Sequence, residues 1–139
     1  MLQVHIAAAG RLGEKYWSMA CEEYKKRLTR FCRLSEREVP DAQDPSVPSG
    51  FFSVALCPQG QMLDSEQFAG QISAWQNTGV SRVAFLIGGS NGLSRELAGS
   101  AGLRLSLSRM TWPHHMARAM LLEQIYRAFT IIEGGKYHK

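Results

Sequence analysis

Apolar and polar positions follow two alternating periods along this chain. Leu2, Val4 and Ile6 alternate with Gln3 and His5, which predicts a strand over 2–8. From Glu14 onward, Trp17, Ala20, Cys21, Tyr24, Leu28 and Phe31 fall at helical spacing. Lys15, Glu22, Glu23, Lys25 and Lys26 fill the opposite face, so an amphipathic helix is expected. Residues 33–39 read as a second strand. The stretch 40–50 holds three prolines, two aspartates and no periodicity, and reads as a loop. The apolar run 51–56 predicts a strand buried on both faces, ended in a turn by Pro58 and Gly60. Asp64 stands three residues before Gln67, the spacing of a capping box, and Phe68, Ile72 and Trp75 follow on one helical stripe. Residues 83–87 form a second buried run that leads into Gly88-Gly89-Ser90-Asn91-Gly92. Ser94 is placed to cap a short helix through Ala98, and Leu103, Leu105 and Leu107 alternate as a last strand. Pro113 suits the first position of a long helix to about Ile132. That helix is apolar on most sides, which calls for a sheet on one flank and a second subunit on the other. Gly134-Gly135 breaks it before a polar tail, Lys136 to Lys139.

Alternating strands and helices define an α/β protein with a mostly parallel sheet, read here as a single domain over 1–139. In such sheets ligands sit beyond the carboxyl ends of the strands. Three loops leave strand ends, at 57–63, 88–93 and 108–113, and their convergence is the central expectation. Neither G-x-G-x-x-G nor G-x-x-x-x-G-K-[ST] occurs, so dinucleotide and P-loop triphosphate binding lack sequence support. The glycines of 88–92 either let backbone approach a flat ligand closely or simply make a strand-to-helix turn.

Composition narrows the picture modestly. The 139 residues are 45% hydrophobic and 20% charged, which excludes a disordered tail. Sixteen basic against twelve acidic side chains leave a charge of +4, which suits a polyanionic partner. Cys21, Cys32 and Cys57 include no C-x-x-C pair, and their odd number fits a reducing compartment. The uncharged stretch 6–10 is too short for a signal core or a membrane span, so a soluble, cytoplasmic protein is expected, with no membrane association. No His/Cys/Asp/Glu set has metal-ligand spacing, so no metal is expected.

Longer blocks carry a more specific message. Residues 85–94 (FLIGGSNGLS), 105–114 (LSLSRMTWPH) and 122–131 (LEQIYRAFTI), with the ending Tyr137-His138-Lys139, closely resemble the RlmH family. The opening Ala9-Gly-Arg-Leu-Gly-Glu-Lys-Tyr-Trp17, with Glu23-Tyr24 and Lys26-Arg27-Leu28, is similar too, so the resemblance spans nearly the whole chain. It implies a SPOUT-class methyltransferase that modifies N3 of a pseudouridine in large-subunit ribosomal RNA. It also implies a C-terminal trefoil knot over the cofactor, against the general prior against knots. A chain this small has little spare surface to hold RNA beside the cofactor, so a homodimer is expected, with large-subunit ribosomal RNA, free or in the assembled ribosome, as its partner. S-adenosylmethionine is then expected to contact Leu56, Gly88, Leu107, Ser108, Arg109, Met110, Thr111 and Trp112. The tail is expected to be catalytic. His138 would accept the N3 proton, Tyr137 would stack on or hydrogen-bond to a base, and Lys139 would pair with phosphate or with the carboxy-terminal region of the site. A frayed terminus is the alternative.

Other residues carry two readings each. Arg127 and Arg118, on the narrow polar face of the long helix, are expected to meet RNA, with a local Glu123–Arg127 pair as the alternative. His114 either caps backbone groups or faces the site, while His5 and His115 are expected at the surface. Lys25, Lys26, Arg27, Arg30 and Arg33 make either a solvated face or an RNA-docking cluster. Two departures stand out. Residues 40–50 occupy a space where family members carry a longer charged helical segment, and Cys57-Pro58 stands where an acidic residue is common. They keep two rival readings open: a catalytically inactive RNA-binding module of the same fold, and a methyltransferase with another RNA target.

Overall fold

A computed structural model describes residues 1–139. Five strands form one parallel sheet: β1 (Gln3–Ala9), β2 (Arg33–Val39), β3 (Phe52–Met62), β4 (Arg82–Ile87) and β5 (Leu103–Ser106), in the order β2-β1-β4-β3-β5. The helices are α1 (Lys15–Leu28), α2 (Ser65–Asn77), α3 (Arg95–Ser100) and α4 (His114–Glu133). β4 enters between β1 and β3, which opens a crevice at the carboxyl ends of the strands.

The two faces of the sheet are covered unequally. Val4, Ile6 and Ala8 of β1 and Val83, Phe85 and Ile87 of β4 point into the main core beneath α1, α2 and α4. The alternate residues Ala7, Ala84 and Leu86 make a small second cluster, covered by Val47 and Phe51 from the β2–β3 connection and Leu93 and Leu97 near α3. α4 lies against both α1 and α2 as well as the sheet. Leu121, Leu122 and Ile125 are wholly buried, and each such side chain contributes about 1.5–3 kcal/mol through burial. The neighbouring helices of the same chain thus take much of the apolar surface that the sequence pattern assigns to a second subunit. No helix is long and apolar enough to cross a membrane.

Local expectations meet the structure with three corrections. The Asp64 capping box forms, its carboxylate accepting from Gln67 N at 2.7 Å while the Gln67 side chain accepts from Asp64 N at 2.9 Å. Ser94 caps α3 by accepting from Leu97 N at 3.1 Å. β3, however, does not stop at Pro58. It bulges between Leu56 and Gln61, both of which pair with Leu105, and then resumes to Met62. Proline lacks the N–H that a ladder needs, and a bulge excuses it. Pro113 is the residue before α4 rather than its first turn, and gives no side-chain cap. His5 is buried, not superficial: its Nδ1 lies 2.7 Å from Ser35 Oγ and its ring packs edge-on to Phe51.

Candidate functional site

The three strand-end loops meet around one cleft of about 870 Å³. The β3 bulge brings Leu56, Cys57, Pro58 and Gln59 to one wall. A Cβ on Gly60 would lie 2.7 Å from the Arg104 carbonyl carbon, so only glycine lets the bulge close against β5. The Gly88–Ser94 segment makes the floor. Gly92 turns in the left-handed region (φ +75°) and donates to Gly89 O at 3.0 Å, and a Cβ on Gly88 would collide with the Gly92 backbone. The loop after β5 makes the third wall. Ser106 Oγ donates to Ser108 O at 3.0 Å and Ser108 Oγ accepts from Met110 N at 3.0 Å, which braces the turn.

Seven of the eight residues expected at the cofactor line this cleft: Leu56, Gly88, Leu107, Ser108, Met110, Thr111 and Trp112. Arg109 does not; it is exposed on the outside of the loop. Met110, at 70% exposure, and Trp112, at 37%, present apolar surface at the rim. The motif reading missed Arg95 and Arg104 at the margin and left His114 undecided; all three line the cleft. His114 caps nothing. Its Nε2 stands 3.6 Å from Asp41 Oδ1, and its ring is 4.0 Å, centroid to centroid, from that of His115. A second concavity of about 560 Å³ lies between α1 and β2 near Met1 and Arg33, away from the carboxyl ends of the strands.

The tail occupies a different place. Tyr137 Oη donates to Glu123 Oε2 at 2.8 Å and its ring packs edge-on to Tyr126. Burial pushes the Tyr137 phenol well above its ordinary value, and the Glu123 hydrogen bond adds to that, so it stays a donor. Arg127 pairs with Glu123 at 2.6 Å, lies over the Tyr137 ring at 4.8 Å, and its Nη1 is 3.1 Å from His138 Nδ1. His138 Nε2 is 3.6 Å from Glu66 Oε1 at the start of α2. Tyr137, His138 and Lys139 are absent from the cleft wall of their own chain. The tail is thus docked on α4 rather than frayed, and Glu123, first read as half of a local pair, is its anchor.

Arg118 is not an RNA-facing residue. It is 1% exposed, and its guanidinium reaches Glu38 at 2.6 Å, Glu36 at 3.5 Å and the Gly10 carbonyl at 3.0 Å. Arg127 is half-buried and its donors are taken by Glu123 and His138. In the basic cluster at the end of α1 and just beyond it, Lys25 pairs with Glu22 and Glu36, Arg27 with Glu23 and Arg30 with Glu133.

Two histidines give the fold a pH dependence. Burial lowers the pKa of both His5 and His114 below 6.5, with Arg37 and His115 respectively acting in the same direction. As pH falls through 6.5, imidazoles in the unfolded chain take up protons first, so stability present above that pH is lost below it. The urea midpoint is expected to fall between about pH 7.5 and about pH 5.5. His5→Gln should flatten the slope, and equal midpoints at both pH values would contradict this account.

A glycine-floored cleft at the carboxyl edge of a parallel sheet defines an α/β protein built to hold a small ligand against backbone. Comparison with known proteins takes this further. A family model described as "Predicted SPOUT methyltransferase" matches residues 2–138. The ribosomal RNA large subunit methyltransferase H proteins of Clostridium kluyveri (strain ATCC 8527) and Clostridium botulinum (strain Langeland) are 40% and 38% identical. Each alignment spans 159 positions and covers 99% of this chain and all of the relative. A probable methylase family protein from Haemophilus influenzae superposes with a TM-score of 0.52 at 13% identity. That match covers 95% of this chain and 65% of that one, a likeness of fold. The chain belongs to the SPOUT methyltransferase family, on the branch of the RlmH enzymes.

Proposed function

We propose that this chain transfers a methyl group from S-adenosylmethionine to N3 of a pseudouridine in large-subunit ribosomal RNA, acting as a cytoplasmic homodimer on the assembled ribosome. The observation that carries the reading is the meeting of Leu56, Gly88 and the 107–112 loop around one cleft. Its volume falls within the roughly 300–1,000 Å³ of small-molecule sites. The residues present fit the cofactor. Leu56, Leu107 and Met110 offer apolar cover for an aromatic base, and glycine backbone allows close approach. When bound, the cofactor supplies a methyl on an electrophilic sulfonium. The chain's own work is to hold the donor, align the acceptor and take a proton from N3.

His138 is the proposed proton acceptor. The tail lies on α4, outside its own cleft, so the reading has the tail of one protomer serve the cleft of its partner. The exposed Met110 and Trp112 at the rim support a partner there. The trefoil knot belongs to the same reading: the chain leaves the edge strand β5 and returns to pack α4 between α1 and α2. One observation favours a second reading. The relatives' alignments span 159 positions against 139 residues here, which fits an RNA-binding module that has lost part of its active surface.

Calorimetry with S-adenosylmethionine separates the two. Saturable binding is expected, and no heat would leave only the module. Mass spectrometry of ribosomal RNA from a deletion strain should then show one pseudouridine without its methyl group, restored by complementation. Unchanged RNA would overturn the target.

A further inference from the structure

The short β2–β3 connection does more than join two strands. It passes over the carboxyl end of the sheet and touches both ends of the glycine loop. Asp41 Oδ1 accepts from Ser90 N at 3.0 Å. Asp44 Oδ1 accepts from Ser94 N at 3.0 Å, and its other oxygen accepts from Ser94 Oγ. Beside Ser90 the two backbones are in close contact. A Cβ on Gly89 would overlap the Asp41 carbonyl oxygen, and one on Gly10 would lie 3.2 Å from Asp41 Oδ1 and 2.7 Å from His114 Nε2. The connection itself is stiff: Pro40, Pro45 and Pro48 restrict it, Pro45 is buried, and Val47 packs on the small second cluster. The Ser90 hydrogen bonds hold the Asp41 carboxyl below its ordinary range, so it is ionised near neutrality.

A glycine-rich loop loses much conformational freedom when it closes on a ligand, and a loop ordered beforehand avoids that cost at binding. We infer that Asp41 and Asp44 are positioning residues that clasp the Gly88–Ser94 loop in its binding-competent shape, making the short acidic connection an organiser of the cofactor cleft. Neither carboxylate lines the cleft, so both act through the loop. The inference rests on the cleft being the S-adenosylmethionine site.

The test compares wild type with Asp41→Ala/Asp44→Ala and with the corresponding double asparagine chain. Two measurements are made: calorimetric titration with S-adenosylmethionine, and hydrogen exchange of the Ser90 and Ser94 amides without ligand. If the unclasped loop is competent for about 1–10% of the time, the dissociation constant rises about 10–100-fold. Both amides should exchange faster, and the urea midpoint should move little, because these hydrogen bonds are exposed. Asparagine keeps an acceptor oxygen and should restore most of the affinity. An unchanged dissociation constant in the double alanine chain would overturn the clasp. If wild type itself takes up no S-adenosylmethionine, the cleft reading fails. Amide exchange then judges the clasp alone, and unchanged protection of Ser90 and Ser94 rejects it. Should the double alanine chain not fold, the single alanine chains decide by the same two readouts.

Discussion

Removal of residues 137–139 is expected to leave S-adenosylmethionine binding intact and to lower methyl transfer by about 10²–10⁴-fold, the range of a lost general acid–base group. Binding survives because none of these residues lines the cleft of its own chain. Turnover falls because N3 of a neutral pseudouridine keeps its proton until something takes it. His138→Ala alone should reproduce most of the loss. Tyr137→Phe should cost less, since it removes only the 2.8 Å hydrogen bond to Glu123 and leaves the ring against Tyr126. The geometry adds a requirement. Arg127 has only donors, so at 3.1 Å it makes Nδ1 of His138 the acceptor, and a neutral ring then carries its proton on Nε2. To accept a proton from substrate, the ring must release Arg127. Arg127→Met frees that nitrogen, but it also removes the cation that lies over the Tyr137 ring and holds Glu123, so turnover is expected to fall through a misplaced tail while cofactor affinity stays unchanged. Steady-state kinetics beside calorimetry on the same preparations makes the comparison, and full turnover without the tail would reject its catalytic role.

Much of this was legible in the sequence, and the limits have physical causes. Strands and helices announced themselves by period, and the capping box and the Ser94 cap by residue type, because these signals are local. The β3 bulge did not. Pro58 and Gly60 are turn residues in isolation, and only the pairing of β5 with both Leu56 and Gln61 makes the segment one strand. His5 falls on the polar side of an alternating strand, and only Phe51 and Ser35, distant in sequence, cover that position. At the site, the family resemblance named Leu56, Gly88 and 107–112, and the strand ends bring all of these but Arg109 to the wall of one cleft. Arg109 missed because a loop must turn some side chain outward. Asp41 and Asp44 stayed hidden in a proline-rich loop with no periodicity, where their only signal was acidity. Glu123 was visible as an i,i+4 partner of Arg127, but its hold on Tyr137 depends on a chain reversal at Gly134 that no pairwise spacing encodes.

Arg118→Ala is expected to destabilise the fold by about 3 kcal/mol, the lower end for breaking a buried ion pair, because Glu36 and Glu38 keep partial access to water. For a chain of this size that is a fall of roughly 10 °C in Tm. Three connections go at once. The guanidinium ties α4 to β2 through Glu38 and Glu36, and to the end of β1 through the Gly10 carbonyl. Its Nε has no acceptor, so the site already bears one unpaired buried donor. Removing the cation leaves Glu38 without its counter-charge beside Glu36, which keeps only Lys25. Arg118→Lys should rescue little, since one ammonium cannot reproduce a planar fork that spans carboxylate and carbonyl together. Arg118→Met with Glu38→Gln should recover part of the loss by removing both charges. Thermal unfolding of these chains, beside their binding to a ribosomal RNA fragment, separates a structural arginine from an RNA-binding one. A buried tie lowers Tm in every single substitution. A phosphate contact would leave Tm unchanged and weaken RNA binding together with its salt dependence, and that outcome would return Arg118 to the RNA interface.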